Sequence, residues 1–295
     1  MNRSIPKRHH FVPEMLQKRF VNEQGGLWTY DSRRADSGVR ADMPGNLFLE
    51  GHLYTHVGKD GAKDVSLEQD FSRLEGLADP LISKMIDATT KNRVPLLTAD
   101  ERVIWDEFFL QQWRRVPDLR DELMSVDAYR RAIEEAINDF SNTIRPVSSV
   151  VRDKYLAPDK VKRGRNNLHV NTLKSQSTKI RNALAGRGLL FARVRNPRKS
   201  LILSSRPVVK VTSGAVKLLS DERVHAWLAI SPSLAVSPGY YGAGTATIDL
   251  TDDQVRLMNL AFAEQSSQIA GKSEALVKSL SPYVGKAMDI SRPRR

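Results

Sequence analysis

Two of the six histidines of this 295-residue chain stand side by side near its start, in Arg8-His9-His10-Phe11-Val12-Pro13. Imidazole titrates near neutrality and has a nitrogen that can take a proton or a metal. The pair could act as metal ligand, general base or phosphate contact. In an extended segment adjacent side chains point to opposite faces, so only one of the two would enter a shared site. The competing reading is structural, with His10 capping or packing and His9 exposed.

Carboxylates and arginines that could complete such a site follow. Glu68 and Glu75 are seven residues apart, which on a helix is nearly the same face. They could hold a metal or orient an arginine; a solvated face, or an ion pair with Arg73, explains them as well. Arg114 and Arg115 close a predicted helix, where the dipole favours cations. That accounts for one of them and leaves Arg115 to reach a carboxylate or an anionic ligand. A site of His9, His10, Glu75 and Arg115 would use His10 as base or ligand, Glu75 as ligand or orienting group and Arg115 as phosphate clamp. A divalent metal is compatible with that set, and the sequence does not name it. Asp100, Glu101, Asp106 and Glu107 form an acidic cluster whose first pair suits a helix N-terminus electrostatically. Ser204-Ser205 lacks the glycines of a hydrolase nucleophile elbow.

The elements that must position these residues read as follows. Glu14 to Asn22 has helical spacing just after Pro13. Gly25-Gly26 marks a turn before a strand at Leu27-Trp28-Thr29-Tyr30, and 31–64 reads as irregular with short strands. Ser66 and Gln69 fit a capping box for a helix bearing Leu67, Phe71, Leu74, Ala78, Leu81, Ile82 and Met85, which Pro80 should kink or split. Thr98 and Glu101 cap a second helix that ends near Pro117, and a third runs from about Asp118 to Ile144. Residues 158–167 read as a loop and 168–186 as a polar helix. Strands are predicted at 189–195, 201–204, 207–212, 226–230 and 245–250. Thr251 and Gln254 cap a further helix, Ser273 to Val284 reads as helical, and a basic tail, Arg292-Pro293-Arg294-Arg295, ends the chain.

This order predicts an α+β fold. A helical layer, about 66–144, packs with a C-terminal, mostly antiparallel sheet and a terminal helix. We read 1–295 as a single domain with subregions 1–64, 66–144, 152–199, 188–250 and 251–290.

Composition bounds the function. A hydrophobic fraction of 40% and a charged fraction of 27% are those of a globular chain. No apolar run reaches the roughly 18 residues of a membrane span, and no apolar stretch follows the basic start as a secretory signal requires. A cytoplasmic protein without membrane partner is expected. With no cysteine, disulfides, thiolate metal sites and thiol nucleophiles are excluded. The net charge is +12, and between Arg152 and Lys199 stand 14 Lys and Arg against two acidic residues, Asp153 and Asp159. That one segment carries the whole excess. Such a block is a footprint for a polyanion, because each neutralised phosphate releases counterions; a solvated surface is the alternative. The candidate nucleic-acid contacts are Lys160, Lys162, Arg163, Arg165, Lys174, Lys179 and Arg181.

Several of these segments together resemble the bacterial domain-of-unknown-function family 4238. His9-His10-Phe11-Val12-Pro13 with Leu16 and Phe20 is similar to that family's His-His-x-x-Pro opening. Leu27-Trp28-Thr29-Tyr30-Asp31 looks like its Leu-x-x-Tyr-Asp strand. Glu68 with Glu75, Gln112 with Arg115 and Pro117, Ser204-Ser205-Arg206-Pro207-Val208 and Met258-Asn259 resemble further segments. Where the family often has Ser-Asp-x-Pro, this chain has Ser204-Ser205-Arg206-Pro207, so an acid acting there would be missing. The resemblance implies a fold and no established activity. The opening is also similar to the first strand of His-Asn-His nucleases, with Asn46, His52 and His56 as further members. Their spacing departs from that pattern, and a turn at Gly45-Asn46 with surface histidines explains them too. The expectation is a nucleic-acid-binding protein that could cleave its ligand with metal assistance; the alternative is a non-enzymatic binding or regulatory module whose N-terminal motif is structural.

Overall fold

The computed structural model describes residues 8–175, 178–212, 221 and 224–286. The basic residues Arg3 and Lys7 and the tail Arg292–Arg295 lie outside them, as does the side chain of Lys179.

Strand β1 (Arg8–His10) leads through Pro13 into α1 (Glu14–Gln17), which a 3-10 turn extends to Phe20. After the turn at Gly25 (φ +78°) come β2 (Leu27–Asp31) and the short strands β3 (Arg40–Asp42), β4 (Leu49–Gly51), β5 (His56–Val57) and β6 (Lys63–Asp64). Helix α2 (Ser66–Thr90) runs unbroken through Pro80. Alongside the proline, Arg19 donates to the Asp79 carbonyl (3.0 Å), the Asp79 carboxylate (2.5 Å) and the Ser83 hydroxyl (2.8 Å). The start of α2 is held by Asp64, which accepts from the Ser66 N–H at 2.8 Å, so Ser66 is the first helical residue and not the cap that was expected.

Helix α3 (Ala99–Arg114) opens on the complete Thr98–Glu101 capping box. The single helix expected from Asp118 to Ile144 is two, α4 (Pro117–Leu123) and α5 (Val126–Thr143), because Ser125 turns out of the helix and its hydroxyl accepts from the Ala128 N–H. Helix α6 (Ser149–Leu156), capped by Ser148, was not expected. The loop expected at 158–167 is the first part of α7 (Pro158–Lys174). Proline is accommodated at its first position, and at Gly164 a Cβ would stand 2.6 Å from the Tyr129 hydroxyl, so a larger residue there would have to displace that ring. There follow α8 (Thr178–Ala185), β7 (Arg187–Val194), β8 (Leu203–Ser204), β9 (Val208–Thr212), β10 (Val224–Ser231), β11 (Leu234–Tyr241), β12 (Ala246–Leu250), α9 (Asp252–Glu264), β13 (Gln268–Gly271) and α10 (Glu274–Leu280).

The chain divides into two compact units. Unit 1 takes Met1–His9, Glu50–Phe71 and Pro117–Gln176. Its helix α7 is stitched to the preceding loops by side-chain amides. Asn166 donates to the carbonyls of His52 and Thr55, and Asn167 both accepts from the Val57 N–H and donates to its carbonyl. Asn167 thus serves as a third strand to β5, which pairs with β6.

Unit 2 takes His10–Leu49, Ser72–Val116 and Ser177–Arg295. One sheet has the order β12-β7-β11-β10-β9 and another the order β3-β2-β13-β8. Only β12 with β7 is parallel; the other pairs are antiparallel. Strands β7 and β10 are buried along most of their length, so they read as continuous apolar runs and not as alternating ones. The fold is α+β with a mostly antiparallel C-terminal sheet.

Candidate functional site around His10

His9 belongs to unit 1 and is fully buried. Its Nδ1 accepts the Tyr54 backbone N–H at 2.9 Å, and its ring stacks on Tyr54 at 5.5 Å. A nitrogen that accepts from an amide carries a lone pair and no proton. The 3.9 Å approach of Glu68 to that same nitrogen is therefore not a charge pair. His9 holds the N-terminal strand in unit 1, and its Nδ1 is not open to a ligand.

His10, Glu75 and Arg115 take their partners in unit 2. The segment around His10 is fixed there: Phe11 and Val12 are buried, the Phe11 N–H donates to the Phe48 carbonyl, and the Gln17 side chain donates to the carbonyls of Val12 (2.8 Å) and Leu47 (3.3 Å). Arg115, the C-cap of α3, completes the clamp. Its Nε donates to the Phe11 carbonyl at 3.1 Å and its Nη1 to the Glu75 carboxylate at 2.7 Å. Arg115 is 1% exposed while the Glu75 side chain is 23% exposed. Nε and Nη1 of the guanidinium thus hold the motif, as those of a structural arginine would.

His10 is half-buried. Burial holds its pKa below the ordinary histidine value, with Arg115 adding to that, against the opposing pull of Glu14, the Gly45 carbonyl and Glu75. Its Nε2 is buried and has no hydrogen-bond partner. The same is true of Gln17 Oε1 and of both amide atoms of the fully buried Gln112, one turn before Arg115 on α3. Glu14 and Gln17 were not singled out from sequence; the only signal was an acid in the turn after the motif.

A group that resists protonation when folded makes stability rise with pH. The unfolded chain binds the proton near pH 6.5 and the folded one only below that. The contribution is complete above about 6.5 and is lost as pH falls through the folded value. His10→Gln should therefore flatten the loss of stability between pH 8 and pH 5 in urea titrations. Identical pH profiles for the two proteins would refute this assignment.

Among the described residues, no three His, Asp or Glu side chains are grouped as a metal would need. Gly45 and Asn46 form a 3-10 turn in unit 2, while His52, at φ +55°, and His56 belong to unit 1.

The basic segment divides likewise. Arg152 to Lys174 lie in unit 1 and Lys179 to Lys199 in unit 2. Arg165 donates to the Asp121 carboxylate and, at 2.8 Å, to the Met124 carbonyl. Lys174 pairs with Asp64 at 2.7 Å and Arg181 with Glu107 at 2.5 Å. The Lys174 bond, with those from Ser66, holds the Asp64 carboxyl far below the usual carboxylate range. Lys160, Lys162 and Arg163, on α7, make no ion pair among the described residues, and each reaches solvent.

These elements define a mixed α+β protein. The chain belongs to the family described as "Protein of unknown function (DUF4238)", whose model matches residues 8–271. No curated protein matches it, and no solved structure matches it. No helix of the described residues is long and apolar enough to cross a membrane.

Proposed function

We propose that the protein binds nucleic acid through its phosphates and that the N-terminal histidine motif is chiefly structural. The observation that carries the reading is the state of the α7 cations: among the described residues Lys160, Lys162 and Arg163 make no ion pair, Lys162 being exposed and the other two half-buried, whereas their neighbours Arg165 and Lys174 are consumed by carboxylates. Unpaired cations are the ones that can neutralise phosphate without first breaking a bond. Lys160 and Arg163 are three apart on one face of the helix. The net charge of +12 supports the same reading, since it favours polyanions over most other partners.

The test is binding of a fluorescent oligonucleotide duplex against salt. A triple variant, Lys160→Gln, Lys162→Gln and Arg163→Gln, should lower the slope of log K against log salt by about 2–3, since each phosphate contact contributes about 0.9. Neutralising the paired Lys174 should change it much less. Absence of duplex and single-strand binding at low salt would overturn the reading.

A second reading, metal-assisted phosphodiester cleavage, is favoured by one observation, the partnerless Nε2 of a histidine held neutral by burial. That nitrogen can take a proton from water. A divalent metal would be needed to stabilise the leaving oxygen. Strand cleavage in the same mixtures after adding Mg²⁺, absent with His10→Ala, is its readout.

A further inference from the structure

We infer that unit 2 carries a separate site for a small organic phosphate, of mononucleotide size, in the cleft formed by α9, α10 and the loop after β7. The cleft has a volume of about 430 Å³, within the range of small-molecule pockets, about 300–1,000 Å³, and too small for a protein segment with its own core. Four cations line it: Arg198 and Lys199 from the loop, Arg256 from α9, and Lys272 just before α10.

The bonding around these groups says which charges are available. Asp252, the one acid in the lining, already accepts from the Asn196 amide at 2.9 Å and lies 3.9 Å from Lys199. It offsets Lys199 and leaves Arg198, Arg256 and Lys272 without an ion pair among the described residues. The neutral polar groups are engaged as well. Asn259 donates to the Ser200 carbonyl and accepts from the Ile202 N–H, and the Ser273 hydroxyl caps α10. Thr251 caps α9 through its own hydroxyl, so an incoming anion would meet side chains and not a bare helix end. Three like charges around one concavity repel each other and focus positive potential into it. A dianion relieves that repulsion where a monocarboxylate would relieve less.

The rest of the wall is apolar. Val255, Leu260 and Leu280 are buried and Leu276 half-buried, and the ring of Tyr283 closes the lining. Inorganic phosphate would leave the open part of that surface, at Leu276 and Tyr283, wet. A phosphomonoester with a flat, weakly polar body uses both parts, with the phosphate at the basic rim and the body against leucines and tyrosine. A nucleoside monophosphate has that shape. This inference does not depend on nucleic-acid binding by α7, which lies in the other unit.

The test is calorimetric titration of the full chain with adenosine 5′-monophosphate, adenosine, inorganic phosphate and a 5′-phosphorylated oligonucleotide. The nucleotide is expected to bind once per chain, with phosphate weaker and adenosine weaker still. Arg256→Ala with Lys272→Ala should reduce nucleotide affinity at least tenfold with melting temperature unchanged, since both side chains are exposed, whereas Lys278→Ala, outside the cleft, should not. Retention of oligonucleotide binding in the double variant would mark the ligand as a free nucleotide, and its parallel loss would mark it as a strand end. No nucleotide binding, adenosine or phosphate binding as tightly as the nucleotide, or an unaffected double variant would each overturn the site.

Discussion

Arg187→Leu should cost about 3–5 kcal/mol of folding stability, enough to leave much of the protein unfolded at 37 °C. The cause lies in β11. That strand contains Pro238 and Gly239, and its register to β7 shifts between Pro238 and Tyr241. Proline has no N–H to give a ladder and is normally confined to edges and bulges, yet β11 is the central strand of its sheet. Arg187, 2% exposed, resolves the conflict. Its guanidinium donates to the carbonyls of Gly239 (2.6 Å), Pro238 (3.1 Å) and Val224 (3.1 Å). One side chain therefore replaces the ladder at the irregularity and ties β10 to β11. A leucine fills part of the volume and leaves three carbonyls without that donor, each charge-assisted bond being worth about 1.5–3 kcal/mol. Arg187→Lys should be intermediate, since one ammonium cannot reach three acceptors spread by a planar fork. Urea midpoints measure both, and a leucine variant within about 0.5 kcal/mol of wild type would sink the account.

The same region explains what could be read from sequence and what could not. The capping boxes at Thr98–Glu101 and Thr251–Gln254 are local chemistry, with the hydroxyl accepting from the backbone three residues on, and both stand in the structure. Strands β7, β9 and β10 have the apolar runs that buried strands require, and they, with the exposed edge strand β12, fall close to where they were expected. Strand β11 was missed because Pro238-Gly239 signals a break by every local rule, and the residue that cancels the signal is about fifty positions away. Helix α7 was half missed for a related reason: Pro158, Gly164 and Asn166-Asn167 look like loop chemistry, and the bonds that engage the two asparagine side chains come from loops about 110 positions away. In the candidate site, residue types were legible and states were not. That His10, Glu75 and Arg115 belong together could be suspected from chemistry; that His9 spends its Nδ1 on a backbone N–H, and Arg115 its guanidinium on Phe11 and Glu75, is tertiary information.

Arg115→Ala separates the two roles open to that residue. If it fastens the motif, its loss leaves the Phe11 carbonyl without this donor in a buried setting and Glu75 without its cation, at a cost of about 3 kcal/mol, or about 5–10 °C in melting temperature for a chain of this size. Glu75→Gln, which keeps an acceptor for Nη1, should cost about 1 kcal/mol. The cost falls below that of a fully buried pair because Glu75 keeps 23% of its side chain in solvent. A clamp for phosphate behaves oppositely: the alanine variant would melt as wild type does and lose cleavage or binding instead. Arg115→Lys sharpens the comparison. A lysine restores a point charge that could attract phosphate but lacks the planar fork that spans the Phe11 carbonyl and the Glu75 carboxylate together, so a rescued melting temperature would refute the fastening role and a rescued activity without rescued stability would establish the clamp. The 1% exposure of Arg115 sets the expectation: a phosphate could reach that guanidinium only after the residues covering it moved aside, so stability, and not activity, is the quantity that should move first.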